Sequence, residues 1–217
     1  MTTKNFCKAR RRRHTKICLG QTVRTGETQK QAQARVTQAK DEIETRDKLT
    51  LIDSLGETPR RINVAENDLN YAPYENAHTE ERHAANVALQ QTDAPIGTRT
   101  VEGRLFGDQP WGARQQTNFS YKWLDDSTMN RTINEYMQKN WNQIREDLVF
   151  NDKHRHEAVF DAGKSIGEGF YNRNQMGMGA VEPVYHRTSK VKIIITLDQI
   201  EPPSPIIVTA YPAGGGK

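Results

Sequence analysis

The sequence predicts an α+β protein, with helices first and an antiparallel β-sheet towards the C-terminus. Three observations carry that reading. Met129, Ile133, Tyr136, Met137, Trp141 and Ile144 recur at helical spacing within "DDSTMNRTINEYMQKNWNQIRED". β-branched residues crowd into "KVKIIITLDQI" and again into "IIVTAYP", with a rigid "EPPSP" turn between them. Strong helix formers with few breakers fill the stretch from about Glu27 to Leu55.

The elements follow in order. Residues 1–25 carry the basic run Arg10 to Arg13 and read as a solvated arm. The helix after it has sparse apolar positions, so it packs weakly or on a partner. "TPRRINVAENDLNYAPYENAH" is rich in proline and asparagine and reads as a linker. "HTEERHAANVALQQ" predicts a short helix with His83, Val87 and Gln90 on one side. "DAPIGTRTVEGRLFGDQPWGARQQTN" predicts a loop, "FSYKW" a strand, and Asp126 or Ser127 a cap for the long amphipathic helix. "HEAVFDAG" and "KSIGEGFYN" predict short strands about a Gly-Lys turn, and "VEPVYHRT" an edge strand with its proline near one end. The expected division is a basic arm, helix and linker over residues 1–70, for delivery or for a partner, and a globular domain over 71–217.

Composition bounds the function. Of 217 residues, 35% are hydrophobic and 27% charged, and the net charge is +4, a balance that permits a polyanionic partner. No run of 18 apolar residues exists, so no membrane span is expected. The basic start lacks an apolar run after it and is not a secretory signal. Cys7, His14 and Cys18 lack the spacing and the fourth ligand of a zinc site. "GKS" at Gly163 lacks the earlier glycine of a phosphate loop, and "GEG" at Gly167 is no dinucleotide fingerprint. His154 and His156, on alternating positions, read as a solvated pair.

What remains is a metal-free set with no cofactor: His83, Ser120, Thr209 and Tyr211, with Arg82, Arg99, Arg104 and Arg114 in or beside the long loop. Thr209 and Tyr211 sit two apart at the end of the last strand, so they share a face with Cα atoms roughly 7 Å apart. That spacing brackets a phosphoryl group. Cleavage of RNA needs a base for the 2′-hydroxyl, an acid for the 5′-oxygen, and donors for the phosphorane, all within this set's reach.

The order "ERHAANVALQQ", glycine loop, "TNFSYKWLDD", helix, "GKSIGEGF", "KVKIIITL" and terminal "IVTAYP" resembles the C-terminal toxin domains of contact-dependent growth inhibition and related polymorphic toxins. The resemblance is to their metal-independent ribonucleases, either the bacterial ribonuclease-A-like group or the barnase, EndoU, colicin and RelE-like group. It covers about Tyr74 to Pro212. It implies His83 as general acid or base, Thr209 and Tyr211 as binders of the scissile phosphate, and Ser120 as the serine that follows an aromatic. The arginine of such toxins follows the histidine by about a helix length, near Asp93 here, and Arg99 is the nearest basic residue beyond. The implied activity is endoribonucleolytic transesterification to a 2′,3′-cyclic phosphate. The implied substrate is tRNA, in the cytoplasm of a target cell reached through delivery machinery. The implied partner is a cognate immunity protein. Two rivals make different demands. An ADP-ribosyltransferase toxin would use NAD and a glutamate such as Glu168 or Glu182. A non-catalytic nucleic-acid-binding structural protein would depend on the Arg10 to Arg13 arm.

Overall fold

The structure is a computed structural model and describes residues 28–107 and 116–214. Arg10 to Arg13, Cys7, His14, Cys18, Trp111 and Arg114 lie outside the described residues. Two compact units divide the chain, Met1–Leu51 and Ile52–Lys217. Helix α1 (Gln29–Ser54) begins in the first and lies within the helix expected from about Glu27 to Leu55. It carries local pairs such as Lys48–Glu44 at 3.0 Å, one turn apart, on a face with few apolar residues.

The second unit is α+β. Its elements are α2 (Val64–Glu75), α3 (Thr79–His83), α4 (Gly103–Phe106), β1 (Phe119–Trp123), α5 (Asp126–Lys139), α6 (Trp141–Phe150), β2 (Arg155–Asp161), β3 (Gly167–Asn172), β4 (Pro183–Thr188), β5 (Lys190–Leu197) and β6 (Pro205–Pro212). The strands form two antiparallel three-stranded sheets, β1-β3-β4 and β2-β5-β6, rather than one. β2 and β3 flank the Gly-Lys turn as expected, yet they do not pair with each other, because each joins a different sheet.

The predicted helical stripe is the core. Met129, Ile133, Met137, Trp141 and Ile144 are buried with Ile193, Ile195, Ile207, Ala210 and Trp123. The long helix breaks at Asn140, whose side chain turns back to donate to Tyr136 O. Asp125, not Asp126 or Ser127, caps α5, its carboxylate accepting from Thr128 N at 2.7 Å.

The stretch expected as a linker holds α2. Asn63 caps it by accepting from Glu66 N, and Asn130 and Asn134 of α5 accept from Val64 N and Ile62 N. These partners are distant in sequence, so tertiary contacts override a turn-like composition. His156 corrects the reading of a solvated histidine pair: His154 is exposed, but His156 is buried.

Two glycines allow close approach, Gly169 within its own sheet and Gly167 between the two sheets. A Cβ at Gly169 would meet Ser120 O at 2.1 Å, and one at Gly167 would meet the Pro212 ring at 2.3 Å. The end of β6 therefore lies directly against β3.

Candidate active site

The site begins with a fault in the β5–β6 ladder. Ile195 pairs with Ile207 and Ile194 with Thr209, so Val208 is an extra residue on β6. Such a bulge reverses the in-out alternation beyond it. Ile207 and Ala210 can then both face the core although they are three residues apart, and Thr209 and Tyr211 both face away from it, into a cleft.

Among the described residues β6 has no strand on its other edge, and side chains and the His78 backbone N–H satisfy its backbone there. Asn67 of α2 accepts from Ile207 N at 3.0 Å and donates to Ile207 O at 2.8 Å. His78 N donates to Val208 O, Thr79 Oγ1 accepts from Ala210 N, and Trp123 Nε1 donates to Ala210 O. This lacing fixes α3 beside β6. The helix is only five residues long, so it depends on such ties. Asp68 adds one by accepting from Glu80 N at 2.6 Å.

His83 lies one turn beyond Thr79 and so faces the same way. Its ring stacks on Tyr211 at 4.7 Å between centroids and 20° between planes. Nδ1 lies 3.0 Å from Tyr121 O. A carbonyl only accepts, so Nδ1 carries the proton, and the neutral ring keeps its lone pair on Nε2. Burial pushes the imidazole down to about 3, against a smaller upward pull from the Tyr121 carbonyl; Arg104, His78 and Arg82 add to the fall. At neutral pH the ring is an uncharged base.

The cleft measures about 490 Å³. His83, Ser120, Thr209 and Tyr211 all line it, so four of the five sequence-selected residues meet. Thr209 Oγ1 is buried and has no hydrogen-bond partner among the described residues. A buried hydroxyl left unpaired costs about 1–3 kcal/mol, which marks it for a ligand.

Arg99 is not in the lining; its Nη1 donates to Glu81 O at 3.1 Å and lies 3.6 Å from that residue's carboxylate. Among the described residues the cationic lining is Arg82, Arg104 and Arg155, with His78 beside them. Burial, and then the charge of Arg82, holds Arg104 below the usual guanidinium range. Arg82 Nε comes only within 3.9 Å of Glu81 and makes no hydrogen bond. No Asp or Glu is among the described lining residues. Three guanidinium groups, two of them with carboxylate contacts only to Glu81 and Glu157 outside the lining, favour an anion in the cleft.

Arg104 lines the cleft and Arg99 does not, although distance along the chain from the histidine points to Arg99. The short helix α4, which carries Arg104 beside β1, has no marked sequence signal. Its one cue is Gly107, which ends it with φ at 81°. Neither Glu168 nor Glu182 is in the lining. Glu168 accepts from the Tyr185 hydroxyl, and Glu182 pairs with Arg173.

Residues 111–212 match the family model described as the bacterial CdiA-CT RNAse A domain, just under half of the chain. The match takes in Ser120, Thr209 and Tyr211 and stops short of His83 and Arg104. Among solved structures, the chain is similar to one described as a CdiA-CT/CdiI complex from Y. kristensenii 33638. The identity is 18% and the TM-score 0.37, over 46% of this chain and 81% of that one. No match was found among curated proteins.

Proposed function

On the premise that residues 111–212 match the bacterial CdiA-CT RNAse A domain, we propose that this chain is a ribonuclease toxin of interbacterial competition that cuts RNA without a metal. One observation carries the reading: a buried hydroxyl, Thr209 Oγ1, with no partner among the described residues, in an arginine-lined cleft that also holds a neutral histidine tied through Nδ1 alone among those residues.

His83 Nε2 takes the proton of the ribose 2′-hydroxyl, and the 2′-oxygen attacks phosphorus. The bond from phosphorus to the 5′-oxygen breaks, and that oxygen takes a proton, for which the Tyr211 hydroxyl is the donor. Thr209 Oγ1 donates to a non-bridging oxygen. Arg82 and Arg104, rather than Arg99, balance the phosphorane charge. The products are a 2′,3′-cyclic phosphate and a 5′-hydroxyl. Metal independence is supported by the lining, since three arginines with no Asp or Glu among the described lining residues disfavour a divalent cation.

By resemblance the substrate class is tRNA. The partner is a cognate immunity protein whose acidic face complements the arginine-lined cleft. The expected toxin domain of residues 71–217 acts in the target-cell cytoplasm. Of the 1–70 segment expected to serve delivery or a partner, α2 belongs with the toxin domain, because Asn67 and Asp68 tie β6 and α3. The test is purified protein incubated with total RNA in EDTA and run on a gel. Discrete cleavage is expected, and the proposal fails if cleavage appears only after magnesium is restored.

A further inference from the structure

The cleft continues onto an aromatic surface that the proposed chemistry leaves unused. Phe119 lines the cleft, yet it is 42% exposed. It stands two residues before Tyr121, whose carbonyl holds His83, so it is roughly 7 Å from that anchor on the same face of β1. Tyr171 is its cross-strand partner on β3. His186, exposed on β4, pairs with Gly169, which pairs in turn with Tyr121. Because Gly169 has no side chain, the His186 ring reaches over it to Tyr121, at 6.0 Å between centroids and 82° between planes. The Tyr171 and His186 rings are 6.2 Å apart, and those of Phe119 and Tyr121 6.5 Å. Tyr121 is buried beneath and fixes the group.

We infer that Phe119, with Tyr171 and His186, forms a stacking platform for a nucleobase next to the scissile phosphate. The inference rests on the ribonuclease reading above. Its occupant must be flat, polar at its edges and joined to an anion. The rings present faces, with a phenol and an imidazole at the rim, and the patch opens directly into the arginine-lined cleft. Stacking of unpaired bases on aromatic side chains is the common way proteins hold single-stranded RNA.

The test measures binding of 2′-O-methylated trinucleotides of each base, which cannot be cut, against an abasic backbone of the same length. The parent protein should bind at least one base-bearing trinucleotide more tightly than the abasic one. Phe119→Leu keeps bulk and apolarity but removes the ring. It should lose roughly 5- to 150-fold in affinity for the base-bearing ligand, the range of one base–aromatic stack, and nothing for the abasic one. Phe119→Tyr should restore binding. Equal binding of base-bearing and abasic ligands by the parent, or an equal loss on both in Phe119→Leu, overturns the platform. Digestion of total RNA by the same parent preparation separates the two levels. Failure to cut RNA overturns the ribonuclease reading, whereas cutting without base-dependent binding overturns the platform alone.

Discussion

His83 and His156 are both buried, and they differ in what their nitrogens do. His156 has both engaged: Nδ1 lies 2.7 Å from Asp147 Oδ2, and Nε2 accepts from the Tyr136 hydroxyl at 2.8 Å. Tyr136 in turn stacks on Phe160 at 4.0 Å. This chain ties α5, α6 and β2 together and leaves no lone pair for a substrate. His83 has one nitrogen tied to a backbone carbonyl and lines a cleft with an orphaned hydroxyl and three arginines. Burial therefore does not set His83 apart from His156. The unfilled valence does.

The difference is sharpest when each histidine is removed. His83→Ala should lower RNA cleavage by about 10²–10⁴-fold, the usual worth of a positioned general base. His156→Ala should leave the rate per folded molecule near normal and cost about 2–3 kcal/mol of stability through the stranded Tyr136 hydroxyl and the lost packing. Thermal melts beside initial rates separate the two. If His156→Ala abolishes cleavage while its melting temperature holds, the contrast is wrong.

Thr209→Val probes the orphaned hydroxyl. It keeps shape and β-propensity, so it should fold at least as stably while cleavage falls by about 10²–10³-fold. An unchanged rate would make the end of β6 merely structural. Next in size come the arginines. Arg104→Gln should lower kcat/KM by at least about tenfold, since a charge-assisted contact is worth about 1.5–3 kcal/mol. Arg99→Gln should act on the melting temperature and not on the rate. The reverse pattern would return the role to Arg99.

The smallest effect is in pH dependence. Burial lowers His83 to about 3 from its ordinary 6.5. The base is then already neutral in the free enzyme across the usual range, and the acid limb of kcat/KM should lie well below pH 6.5. As pH falls from 6.5 towards 3, the unfolded chain takes up this proton before the folded one does, so His83's contribution to stability is lost across that window. An acid limb at or above 6.5 would contradict the burial.

Much of this contrast was legible in the sequence, and the rest had physical reasons for being hidden. α5, β5 and β6 announce themselves by periodicity and β-branching, because their own side chains make the core. Thr209 and Tyr211 follow from a two-residue repeat. The bulge at Val208 that turns them outward depends on the partner strand, so it left no local mark. α2 hid behind linker-like residues because its ends are satisfied by Asn130 and Asn134 of a later helix. Arg104 hid because the loop from Ala84 to Gly107 folds back on itself, joining Ala88 to Thr100, so distance along the chain misjudges distance in space. His156 looked solvated because its two partners, Tyr136 and Asp147, lie on helices rather than on its own strand.

The most direct test of the shared phosphate site is end-group analysis, by mass, of RNA fragments produced in EDTA. A base at His83 and donors at Thr209 and Tyr211 predict 2′,3′-cyclic phosphate and 5′-hydroxyl ends, absent with Thr209→Val. Fragments ending in 3′-hydroxyl and 5′-phosphate would contradict the account, because attack would then come from water and not from the ribose.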